Sequence, residues 1–87
     1  GEYGISNLDV YPNPSRDIFN VSFTSEEAQD ITVKVINVLG EEIIRDDRQQ
    51  FEGNYNKTID LTNYKRGIYL LKVKTLSNTS QFKIILI

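Results

Sequence analysis

The chain has 87 residues, enough for one small domain with a single core and no second layer. Hydrophobic residues make up 39% and charged residues 25%, which excludes a disordered segment, and a net charge of −2 with a pI near 5.0 withholds the basic field on which nucleic-acid binding relies. Cys and His are both absent, which removes disulfides, thiolate and imidazole metal sites and the usual catalytic bases and nucleophile pairs.

Apolar and polar residues alternate along most of the chain, the period of strands with one buried face, and no stretch carries a convincing helical pattern. Leu8 and Val10 predict a short first strand. The corner Pro12-Asn13-Pro14 ends it, because proline fixes its own φ and drives the preceding Tyr11 and Asn13 toward extended backbone. Phe19, Val21 and Phe23 predict a second strand, and Ile31, Val33 and Val35 a third. Val38-Leu39-Gly40 reads as a three-residue hairpin connection in which Gly40 takes the left-handed conformation. Glu42 to Gln50 pairs adjacent Ile43 and Ile44 with a wholly polar run, the pattern of an edge strand or bulge. Gly53-Asn54 predicts a turn into a fifth strand, Tyr55 to Leu61. A sixth runs from Ile68 to about Thr75, and Asn78 turns the chain into a seventh, Gln81 to Ile87. Seven strands at roughly 8–12-residue spacing predict an all-β fold, an immunoglobulin-like antiparallel β-sandwich. Leu61, Gly67 and Tyr69 are spaced like a tyrosine corner, in which the Tyr69 hydroxyl bonds backbone a few residues upstream and serves the structure.

The last predicted strand is apolar on both sides. Within the terminal run Phe82 to Ile87, Phe82, Ile84 and Leu86 supply an inward face, yet Ile85 and Ile87 alternate onto the other, where Lys83 is the run's one polar residue. A strand buried on one side does not need that excess. Two explanations stand side by side: burial under a neighbouring loop, or a grip by another protein through strand addition or an apolar groove. The run is far too short to span a bilayer, which takes about 18–20 apolar residues, so no transmembrane segment is expected.

Four phrases in this order carry a family resemblance: Tyr11-Pro12-Asn13-Pro14-Ser15-Arg16-Asp17, Val35 to Glu42, Leu61 to Val73 with Gly67-Ile68-Tyr69 at its centre, and the apolar end Phe82 to Ile87. From about Leu8 to Ile87 the chain resembles the type A C-terminal sorting domain of type IX secretion cargo. The resemblance implies an excised tail in which residues 1–7 end a linker from an upstream cargo module and residues 8–87 form the sorting domain. It implies passage through the periplasm of a Gram-negative bacterium, recognition by outer-membrane type IX translocon components, and removal by a sortase-like C-terminal signal peptidase, with the cargo left at the cell surface or secreted. The matching recognition positions are Gly67 and Tyr69 with the strand that follows, and Lys83, Ile84, Ile85, Leu86 and Ile87. Pro12, Asn13, Pro14, Gly40 and Tyr69 are the matching structural corners and turns. Cleavage is expected at or before Gly1 to Ile5.

Other chemistries have less to build on. Asp9, Asp17, Asp30, Asp60, Asp46-Asp47 and Glu41-Glu42 supply carboxylates, but a glycosidase cleft needs more chain than this, so no enzyme is expected. A calcium site at Asp30 or Asp46-Asp47 lacks EF-hand spacing, and no cofactor is expected. The alternative from another class is a small carbohydrate-binding or calcium-dependent adhesion module. The chain has no Trp, which leaves Tyr3, Tyr11, Tyr55 and Tyr64 as the available sugar platforms.

Overall fold

The computed structural model describes residues 4–87. Five strands follow one another: β1 (Ile5–Tyr11), β2 (Ile18–Ile36), β3 (Glu42–Asp60), β4 (Gly67–Lys74) and β5 (Thr79–Leu86). All pair antiparallel in one connected sheet, and the described residues contain no helix. Among them, no helix is long and apolar enough to cross a membrane.

The strand count corrects the seven expected from the sequence. Predicted strands two and three are the two ends of β2, and four and five are the two ends of β3. The breaks in the apolar pattern are bulges inside continuous strands. Ser25 pairs with Gly53 and Gln29 with Phe51, so three residues of β2 oppose Glu52 alone. Two residues of β3, Gln49 and Gln50, then oppose Asp30. Extra residues on alternate strands bend both together without ending the pairing. Gly53, at φ 100°, sits where only a residue without a Cβ is comfortable, and Gln50, at φ 49°, has its amide tied to Asp30 Oδ1 at 3.0 Å. The expected turn at Gly53-Asn54 is therefore a bend within β3.

The bend gives β2 two neighbours on one edge. Asn20–Ser25 pair with β1, Thr32–Ile36 pair with β4, and β3 runs along the opposite edge of both halves. β4 then pairs with β5. Phe19, Val21 and Phe23 from the first half of β2 and Ile31, Val33 and Val35 from the second join Tyr55, Ile59, Leu61, Leu71, Val73, Ile84 and Leu86 in one hydrophobic cluster. The connected sheet does not by itself establish the two-sheet immunoglobulin-like sandwich. Residues Gly1–Tyr3 of the expected linker lie outside the described residues, as does Tyr3 as a sugar platform; strand pairing begins at Ile5, opposite Ser25.

A polar clamp closes over the bend. The Tyr55 ring stacks on Phe23 at 4.5 Å and meets Phe51 edge-on at 5.8 Å, while its hydroxyl donates to Asp46 Oδ2 at 2.7 Å. Arg48 pairs with the same carboxylate at 3.1 Å and lies 5.4 Å from the Tyr55 ring centre.

Candidate functional site

The sequence-predicted positions gather around β4 and β5, the C-terminal hairpin. Directly opposed residues of antiparallel strands share a face. On the inner face Tyr69 opposes Ile84 and Leu71 opposes Phe82; Gly67 opens β4 opposite Leu86 at φ 147°. On the outer face Ile68 opposes Ile85, and Leu70 lies between Lys83 and Ile36. Ile84 and Leu86 are fully buried, Ile85 is half-buried, and Ile68 and Ile87 are 46% and 59% exposed. The recognition positions thus divide, with Tyr69, Ile84 and Leu86 in the core and Lys83, Ile85 and Ile87 outside it.

The free edge of β5 is occupied by the chain itself. Asn13 Nδ2 donates to the Lys83 carbonyl at 2.9 Å and Asn13 Oδ1 accepts from the Ile85 amide at 3.0 Å. Ser15 N donates to the Ile85 carbonyl at 3.0 Å, and Ile87 N donates to the Ser15 carbonyl at 2.8 Å. One amide side chain and one backbone residue therefore occupy the Lys83 carbonyl, both backbone groups of Ile85 and the Ile87 amide, much as a sixth strand would. Both X-Pro bonds of the corner, Tyr11-Pro12 and Asn13-Pro14, are cis. Strand addition at this end of β5 would have to displace the corner. Asn13→Ala is expected to raise the hydrogen-exchange rate of the Ile85 amide and to cost about 0.5–1.5 kcal/mol of stability. Unchanged protection at Ile85 would show that Ser15 alone holds the edge.

The turns beside the hairpin are tightly specified. Tyr69 Oη donates to the carbonyl of Lys65, four residues upstream, and Tyr64 N donates to the Leu61 carbonyl at 3.0 Å. Arg66 Nη1 reaches the Arg16 carbonyl at 2.7 Å. Between β2 and β3, Asn37 N donates to the Glu41 carbonyl at 2.9 Å and Gly40 N to the Asn37 carbonyl at 3.0 Å, with Gly40 at φ 84°. The Asn37 side chain accepts from the amides of Leu39 and Glu41, both at 3.0 Å, and donates to Glu41 Oε1 at 2.9 Å. This bracing holds Val38 and Leu39 at 79% and 80% exposure, beside the outer face of β4. Two adjoining depressions of about 430 and 330 Å³ lie between them and Ile68.

The profile of the secretion system C-terminal sorting domain family matches residues 9–87. The chain belongs to this family. It is a type IX secretion sorting domain, a class of signal that implies interaction with the secretion machinery and export to the cell surface or beyond. Comparison with curated proteins gives no match.

The sorting domain carries its charge unevenly. Residues 61–87 hold Lys65, Arg66, Lys72, Lys74 and Lys83 and no Asp or Glu, whereas residues 1–60 hold five lysines and arginines against twelve carboxylates. The net charge of −2 conceals this division, so the absence of a basic field does not extend to the hairpin. Counting charge segment by segment exposes it in the sequence.

The rival positions are engaged elsewhere. Tyr55 is 1% exposed in the core, which removes it as a sugar platform; Tyr11 and Tyr64 are partly exposed. Asp46 is held by Tyr55 and Arg48, Asp47 by Arg45 at 2.8 Å and Thr32 at 2.7 Å, and Asp30 by the Gln50 amide. Among the described residues no three carboxylates gather into a cation cage.

Proposed function

We propose that this sorting domain is a non-catalytic export signal read through the outer face of its C-terminal hairpin. In this reading components of the outer-membrane type IX translocon engage Lys83, Ile85 and Ile87, with Ile68 beside them. Gly67, Tyr69, Ile84 and Leu86 act from beneath by holding β4 and β5 in register. A sortase-like peptidase then separates the domain from its cargo after transit through the periplasm. The two halves of the sheet, which share one core, support reading the fold as an immunoglobulin-like sandwich that crosses as a folded unit. One observation carries the proposal: Ile68, Ile85 and Ile87 form an apolar strip that the domain's own core leaves outside.

Fusion of the domain behind a fluorescent reporter in a type IX-competent bacterium tests it. The wild-type tail is expected to deliver the reporter to the surface. Replacing Ile85 and Ile87 together with Ser is expected to abolish delivery while the melting temperature of the domain changes little, since neither side chain belongs to the buried cluster. Normal delivery by the full-length double variant would remove this strip from recognition.

A further inference from the structure

We infer that the braced Val38–Leu39 turn and the groove beside β4 form a docking surface for an acidic, apolar-cored segment of a partner protein. The inference rests on the sorting reading and adds to it a site and a chemistry.

Shape comes first. Asn37 directs its amide group into the turn and braces its backbone, so that two adjacent aliphatic side chains stand out from it, and the two depressions between that turn and Ile68 share Val38 as a wall. An apolar knob on a braced turn beside a groove matches the anchor-and-pocket layout of a protein interface. A flat lipid surface takes up a protruding tip but leaves a groove unfilled.

Charge then narrows the occupant. Lys72 lines the first depression and Lys65 and Arg66 the second; no carboxylate lines either, and among the described residues none of the three cations is in an ion pair. A second copy docking face to face would bring two such cationic rims together, which opposes self-association. A partner with carboxylates around an apolar centre meets both the rim and the groove.

The reporter fusion tests this with variants outside the C-terminal run. Val38→Ser/Leu39→Ser and Lys72→Glu are each expected to lower surface delivery by about tenfold or more, with Lys72→Arg near wild type because charge is kept. Val38 and Leu39 are exposed and Lys72 is half-buried at the rim of the groove, and thermal melting of each variant checks that the fold is intact. Wild-type delivery by the intact Val38→Ser/Leu39→Ser or Lys72→Glu variant overturns the inference and leaves the sorting reading standing. A loss in Lys72→Arg as large as that in Lys72→Glu overturns the acidic chemistry. Sedimentation with phosphatidylglycerol vesicles that is strong for wild type and lost in the same variants assigns the surface to lipid and overturns a protein partner. A wild-type tail that leaves the reporter undelivered defeats the sorting reading and this inference with it.

Discussion

Ile84→Ala is expected to lower the unfolding free energy by about 2–5 kcal/mol, a large part of the total for a domain of this size. Ile84 is fully buried in β5 opposite Tyr69, within the cluster that joins both ends of the sheet. Removing its outer atoms forfeits their transfer from water and leaves a cavity that β4 cannot close without losing register with β5. Ile85→Ala, one residue along, is expected to cost under about 1 kcal/mol because that side chain is only half-buried on the outer face. Urea titration of the two variants measures the contrast. A loss of less than about 0.5 kcal/mol for Ile84→Ala would show that β5 is not integral to the core. The contrast also matters for sorting, since core damage lowers export through unfolding while outer-face damage acts on contact.

Asp46→Ala is expected to cost about 1–3 kcal/mol, because it strands the buried Tyr55 hydroxyl and leaves Arg48 without its partner. Asp46→Asn keeps an acceptor for the hydroxyl and is expected to lose less. Partial burial pushes the Asp46 carboxyl up, but the Tyr55 hydroxyl and the Arg48 guanidinium together outweigh it and hold the carboxyl below its ordinary value. Burial first, and the neighbouring carboxylate second, push the Tyr55 phenol well above its own. A carboxyl lowered on folding contributes stability that is present above its unfolded value and disappears as pH falls through its folded one. The Asp46 contribution is therefore complete above about pH 4 and is lost below it. Asp47, bonded to Arg45 and Thr32, and Asp60, bonded to Thr62, are lowered too and share this acid sensitivity. The difference between wild type and Asp46→Asn, followed by thermal melting from pH 7 to pH 3, isolates Asp46: the gap should shrink as the solution is acidified. A gap constant over that range would mean that the clamp works without its charge.

Much of the candidate surface was legible from residue pattern. The excess apolar face at Ile85 and Ile87 stood out because strand alternation has nothing for it to bury against, and the structure leaves Ile87 59% exposed. Asn13 was legible only as part of a proline corner. Its bonds to Lys83 and Ile85 span 70 and 72 residues of chain, and no local signal says which distant edge a corner will meet. Val38 and Leu39 were legible as a turn, but their place beside Ile68 depends on β4 pairing with the second half of β2.

By itself the sequence determined the inward residues, the corners at Pro12–Pro14 and Gly40, and membership of the sorting family, because side-chain alternation, proline geometry and short motifs are local properties of the chain. Only the tertiary structure decided whether Thr24–Asp30 and Gly53-Asn54 end strands or bend them. An interrupted apolar pattern looks the same in both cases. What separates a turn from a bulge is whether the partner strand bends alongside and keeps its hydrogen bonds, as β2 and β3 do here.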